Sequence, residues 1–144
     1  MKKLNKKGFT LAELLIVVAI IAVLVAISIP IFTAQLNKAK YAADEANARS
    51  IYAEMVADYL ANGGSQSTNF KVEPDTGVAE NAPAEITVTY PDGSTNKYKF
   101  SGIVSVTFER GKTDAYPKVT VGKCSKAGVS ESVVFGSGNP ATSN

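Results

Sequence analysis

The feature that most constrains this 144-residue chain is an almost purely apolar run from Phe9 to Phe32. Four lysines precede the run, and Glu13 is the only charged residue inside it. As an α-helix, the run would be about 36 Å long, enough to cross a bilayer core of about 30 Å. The sequence therefore predicts one membrane-spanning helix ahead of the domain that follows.

A cleaved secretory signal peptide is the alternative interpretation of this run. Signal peptides usually have a hydrophobic region of about 7–15 residues that ends in a small-x-small site, and Ala26-Ile27-Ser28 could serve as one. The length of the run and the acid near its start favour a retained helix instead. The preceding lysines predict that the N-terminus stays in the cytoplasm and the rest of the chain lies outside.

The energetics of the run limit where the helix can go. Sixteen of its residues are Val, Ile, Leu or Phe, and their burial is worth roughly 24–48 kcal/mol in total. One charge at the centre of a membrane helix costs on the order of 3 kcal/mol. Insertion is thus strongly favourable, and the helix can leave lipid only for another apolar environment, such as a bundle of identical helices.

Glu13 then has two interpretations. In the first, it reaches the membrane interface and has no role. In the second, it pairs with a cation supplied by another chain, because an unpaired acid in apolar surroundings is expensive. A cut after Gly8 would create such a cation at the α-amino group of Phe9, which lies on the same helix face as Glu13.

The segment Lys6 to Leu15, followed by the apolar run and Pro30, resembles the N-terminus of a prepilin with a class III signal. The family comprises the type IV pilins, in their type IVa-like short-leader form, and the related pseudopilins. The resemblance covers residues 1 to about 35. The lone Cys124 departs from pilins whose C-terminal loop is closed by a disulfide, and this departure favours a Gram-positive source.

The resemblance implies specific roles for four residues. In the family, a prepilin peptidase cuts after the glycine that matches Gly8 and N-methylates the residue that matches Phe9. The glutamate that matches Glu13 neutralises the terminal amine of a neighbouring subunit and sets the axial register. Family filaments often lose helical structure just before the proline that matches Pro30, which removes a backbone donor and clashes with the preceding turn.

After Pro30 the helical pattern continues to Leu60, and Asn62-Gly63-Gly64 predicts its end. Apolar residues recur at helical spacing and predict a face that packs on a sheet: Ile51, Tyr52, Met55, Val56, Tyr59 and Leu60. A partner groove is the alternative role for this stripe.

Period-two alternation predicts strands in the remainder of the chain, and Pro91-Asp92-Gly93-Ser94 predicts a tight turn between two of them. The alternating apolar residues are Ile86, Val88 and Tyr90; Tyr98 and Phe100; Val104, Val106 and Phe108; and Val119 and Val121. A short strand is expected around Phe70 to Val72 and an edge strand within Val129 to Phe135. The predicted fold is α+β, with the helix on an antiparallel sheet of about four strands.

The predicted domain layout has three parts. Residues 1–8 are a cleaved basic leader, residues 9–32 a transmembrane and filament-core helix, and residues 33–144 a globular head. The head comprises helix 33–61, loop 62–83, sheet 84–135 and tail 136–144.

Composition excludes several kinds of chemistry. The chain has no histidine and one cysteine, Cys124, so an intramolecular disulfide, an imidazole base and a structural zinc site are excluded. Asp75, Asp92 and Asp114 lie near turns but form no dense calcium-binding run. Without its four leader lysines, the chain has 11 basic and 13 acidic residues, so nucleic-acid binding is not expected. No catalytic residue, cofactor or metal is predicted.

We therefore expect a structural, non-enzymatic pilus subunit that is an inner-membrane precursor and then part of an extracellular filament for adhesion or motility. Its expected partners are identical subunits, the prepilin peptidase, the pilus assembly platform, minor pilins and membrane lipid. One alternative is a pseudopilin or minor pilin of a type II secretion or DNA-uptake system. Another is a signal-anchored extracellular binding domain that never polymerises.

Overall fold

The computed structural model describes residues 8–111 and 116–136. Most of the predicted leader (residues 1–7), the considered calcium ligand Asp114 and nearly all of the predicted tail (residues 137–144) lie outside those ranges. The chain divides into two compact units, one ending at Gln35 and the other beginning at Leu36.

One α-helix, α1, spans Leu11–Ala61 and supplies all of the regular structure of the first unit. Every residue from Gly8 to Leu36 is exposed. The most apolar 18-residue window of α1 has a mean hydropathy of 3.2, and none of that window is buried. By length and composition this segment can cross a membrane, so the helix predicted from the apolar run is confirmed.

The helix ends where its glycines predict. Gly63 has φ 67°, a left-handed conformation that glycine adopts without steric cost. The Gly64 N–H donates to the Tyr59 carbonyl at 3.0 Å, which satisfies one of the carbonyls that the last turn leaves unpaired.

The second unit is an α+β head, as predicted, but its strands form two antiparallel sheets of three strands rather than one sheet of about four. The first sheet has the order β1-β2-β3 and the second the order β4-β5-β6. The strands are β1 (Lys71–Glu73), β2 (Ala84–Thr89), β3 (Thr95–Phe100), β4 (Val106–Glu109), β5 (Lys118–Val121) and β6 (Val133–Phe135).

Isolated contacts, rather than a continuous ladder, connect the sheets. Val78, which follows β1, exchanges both backbone hydrogen bonds with Val106 of β4 at 2.8 and 2.9 Å. Arg110, just beyond β4, donates to the carbonyls of Ser67 and Phe70. Gly77 permits the close approach, because a Cβ at this position would lie 1.9 Å from the Val106 carbonyl oxygen. Alternation identifies strands such as β1 and β4 but does not reveal that they fail to pair with each other.

The helix stripe that covers the sheets is longer and more polar than predicted. Ile51, Met55 and Tyr59 are buried as expected, whereas Leu60 is 61% exposed. The buried face begins ten residues before Ile51, and its full set is Tyr41, Asp44, Ala48, Ile51, Met55, Asp58 and Tyr59. Tyr41, Ala48, Ile51 and Met55 share one core cluster with aliphatic residues of both sheets: Val72, Ile86, Val88, Val106, Val119 and Val121.

Two aspartates on this buried face fasten loops to the helix. Asp44 is 1% exposed, and its carboxylate accepts hydrogen bonds from the Ser101 N–H at 2.9 Å and the Ser101 hydroxyl at 2.6 Å. Asp58 accepts from the Ser67 N–H at 2.8 Å and from the Asn62 amide at 3.0 Å. Each carboxylate therefore ties one loop to the core face of α1.

Glu54 makes a comparable contact with β3. The Tyr98 hydroxyl donates to its carboxylate at 2.6 Å. Burial, reinforced by the hydrogen bond to this acid, raises the pKa of Tyr98 well above its ordinary value, so the hydroxyl stays protonated as a donor.

We predict that Asp44→Ala lowers the free energy of unfolding of the head by about 3 kcal/mol, because two hydrogen bonds to a charged acceptor are lost and a buried N–H is left unpaired. The adjacent Glu45→Ala is the control. Glu45 pairs with Arg49 at 3.0 Å on the surface, so its loss should cost less than about 1 kcal/mol. Guanidinium unfolding of the full chain in detergent, followed by circular dichroism, measures both. Equal small losses would contradict the role given to Asp44.

Candidate processing and assembly site

The predicted junction and the predicted acid lie together on the surface. Gly8, Phe9, Thr10 and Glu13 line one shallow depression at the start of α1. Phe9 is 93% exposed, and a Cβ added at Gly8 would have no neighbour within 4 Å. The peptide bond between Gly8 and Phe9 is therefore accessible from outside the chain.

Glu13 is held by a neighbour that the sequence analysis did not single out. One of its carboxylate oxygens, Oε2, accepts from the Thr10 N–H at 2.8 Å and from the Thr10 hydroxyl at 2.7 Å. The Glu13 N–H donates back to the Thr10 hydroxyl oxygen at 3.3 Å. This reciprocal pair is a capping box, in which Thr10 is the N-cap and Glu13 the third helical residue.

The capping box gives Glu13 a structural role within its own chain. It satisfies donors at the helix start, and such donors cost several kcal/mol when left unpaired in a membrane. Glu13 is therefore not an idle residue, because it caps the start of its own helix. The pattern Thr-x-x-Glu ahead of an apolar run is a known helix-start signal, so Thr10 was detectable from the sequence.

The second oxygen of Glu13 differs from the first. Within residues 8–111 and 116–136, Oε1 has no hydrogen-bond partner, since the recorded contacts of the carboxylate all use Oε2. Glu13 can accordingly accept a hydrogen bond from a cation outside the chain without giving up its bonds to Thr10.

Pro30 lies within α1 and does not end it. Since proline has no N–H, the carbonyl of Ala26 lacks its usual helical donor. The hydroxyls of Ser28 and Thr33 donate to the carbonyls four residues earlier, Leu24 at 2.7 Å and Ile29 at 2.9 Å. Side-chain bonds of this kind often bend helices, and here the two hydroxyls lie on either side of Pro30.

The described part of the head offers no candidate metal site. It contains no group of three or more Cys, Asp or Glu side chains that could hold a metal. Cys124 is 1% exposed, and its thiol lies 3.3 Å from the Ile103 carbonyl oxygen.

Fold and site together define a membrane-anchored precursor: an exposed apolar helix, with a capped acid near its start, leads into an α+β head. Residues 3–29 match the family model described as the prokaryotic N-terminal methylation motif. Over 111 residues the chain is 36% identical to the type IV narrow pilus major component PilA5 of Thermus thermophilus, covering 75% of this chain and 90% of that protein. No solved structure matches the chain.

The chain therefore belongs to the type IV pilin family, as its N-terminal motif predicted. It is a structural subunit that polymerises with other pilins. Its precursor is anchored in the membrane by the apolar helix and becomes part of a surface pilus.

We predict that Thr10→Val, which removes the capping hydroxyl at nearly constant volume, destabilises the first helical turn by about 0.5–2 kcal/mol. Hydrogen exchange of the Glu13 amide, measured by NMR in detergent, should then accelerate by roughly 2- to 30-fold. Thr10→Ser keeps the hydroxyl and should leave exchange close to the wild-type rate. Equal exchange in the valine and serine variants would contradict the cap.

Proposed function

We propose that the precursor is cut between Gly8 and Phe9 by the prepilin peptidase and N-methylated at Phe9. The exposure of this junction and the motif match over residues 3–29 support the proposal. The enzyme itself would supply the catalytic groups, and the pilin would contribute an accessible peptide bond next to a rigid helix start.

The positive charge of the leader explains why cleavage would be needed before assembly. Under the positive-inside rule, Lys2, Lys3, Lys6 and Lys7 hold the N-terminus on the cytoplasmic side. Extracting an uncut helix would carry four cations through the bilayer, at about 3 kcal/mol each on insertion scales. Removing residues 1–8 leaves one amine and the Glu13 carboxylate, whose charges cancel. The helix then becomes transferable into a filament.

Glu13 would receive its partner in the filament. The Phe9 amine exists only after cleavage, and a neighbouring subunit can present it to Oε1 while Thr10 keeps Oε2. A carboxylate in a bundle of apolar helices needs such a cation, because an uncompensated buried charge costs several kcal/mol. The observation that carries this proposal is the capped carboxylate with one oxygen available.

Pro30 would allow the helix to adapt during packing. Because Pro30 has no N–H, the turn from Ala26 to Pro30 has one backbone hydrogen bond fewer to lose by opening than any other turn of the apolar helix. We infer that the helix opens here in the filament and stays continuous in the isolated subunit.

Among the alternatives, the major-subunit role has the most support, because the pilin relative is itself a major pilus component. The comparisons do not favour a pseudopilin over it. An anchored binding domain that never polymerises would leave the apolar helix permanently in lipid.

We further propose that the protein has no catalytic activity and that residues 33–144 form the head. Its other partners would be the assembly platform and minor pilins.

Filaments sheared from the native host provide the test of processing. We predict that mass spectrometry shows a chain that starts at N-methyl-Phe9, because the junction is exposed and the leader blocks extraction. A chain that keeps residues 1–8, or one that starts near Ser28, would contradict the proposal. Recovery of the protein only as unpolymerised chains in the membrane fraction would support the anchored-domain alternative.

A further inference from the structure

The first cations after the apolar run are Lys38 and Lys40 on α1. Both side chains are exposed. They are two residues apart, so their side chains point to nearly opposite sides of the helix. Between Glu13 and Lys38 no residue is charged. The two lysines are thus an isolated pair of charges at the outer end of the membrane segment.

Neither lysine has an acidic partner among the described residues. The ion pairs recorded there are Arg49 with Glu45, Lys97 with Glu85, and Lys118 with Glu109. The acid one helical turn beyond Lys40 is Asp44, and both of its oxygens bind Ser101 in the core. The charges of Lys38 and Lys40 therefore have no counterion within the described part of the subunit.

Their position along the chain is just beyond the depth of lipid headgroups. Lys38 is six residues beyond Phe32, or about 9 Å at the rise of an α-helix. Counted along the helix from the midpoint of the apolar run, Lys38 lies about 26 Å away and Lys40 about 29 Å away, whereas headgroups occupy roughly 15–22 Å from the bilayer centre. A lysine stem can bridge the difference by turning back toward the interface.

We propose that Lys38 and Lys40 bind the phosphate groups of anionic phospholipids on the outer face of the membrane. The inference rests on the membrane-anchored precursor described above. The pair fixes how deeply the helix sits before assembly, and its lipid contacts must be released when a subunit leaves the membrane. After the leader is cut, these lysines are the principal cations that hold the helix at the bilayer surface.

The test uses the full, uncut chain in nanodiscs of neutral phosphatidylcholine, with or without added phosphatidylglycerol. An uncharged amine-reactive reagent labels the lysines, and peptide mass spectrometry gives the rate at each residue. Phosphatidylglycerol should slow labelling of Lys38 and Lys40 about fivefold, the factor for a cation at an anionic surface. High salt should abolish the effect.

Lys71 is the internal control. It is exposed, belongs to none of the recorded ion pairs and lies beside Met55, which is about 25 Å of helix beyond Lys38. Its labelling should not change with lipid. In addition, the double variant Lys38→Gln/Lys40→Gln should co-purify with less phosphatidylglycerol than wild type, whereas Lys71→Gln should not.

Labelling of Lys38 and Lys40 that is the same in both lipids would overturn the proposal, and so would equal slowing at Lys71. Neither measurement requires cleavage or polymerisation. Failure to cut at Gly8 would therefore leave this lipid contact standing, and absence of the lipid contact would leave the cut standing.

Discussion

The exposed apolar surface of the helix between Phe9 and Phe32 is the constraint on which the rest of this protein depends. It is too large to leave in water, so some other apolar surface must cover it at every stage. Lipid covers it in the precursor, and like helices cover it in the pilus. We propose that three features at its start serve that exchange: a leader that prevents it until cleavage, a cap that completes the helix and an acid that pairs with a cation in the filament.

In the head, the same helix has a different role, which is to cover the sheets. Beyond Leu36, one face of α1 packs against two small sheets, and Ile51 and Met55 are fully buried there. Each sheet has one apolar face that must be covered, and the helix covers it. Asp44 and Asp58 make this packing more specific, because their hydrogen bonds determine which loop contacts which turn of the helix.

The elements with a strong local signal were predictable. The apolar run, the glycine stop and the alternating strands specify the helix and the α+β class. The division of the strands into two sheets was not predictable, because alternation is identical whether two strands share a ladder or belong to separate sheets that meet at isolated contacts such as Val78 with Val106. Burial of Asp44 was missed because an acid on a helix normally faces water, and only its contact with Ser101 reverses that preference. Thr10 was readable as a cap but was overlooked beside Glu13.

We propose that Glu13 serves two partners at once in the filament: Thr10 of its own chain and the Phe9 amine of a neighbour. A cryo-electron microscopy structure of the filament, at a resolution that shows side chains, tests it most directly. We expect one oxygen of Glu13 to remain on Thr10 while the other lies within about 3 Å of a neighbouring Phe9 nitrogen. A Glu13 bound only within its own subunit, with each Phe9 amine placed elsewhere, would contradict it.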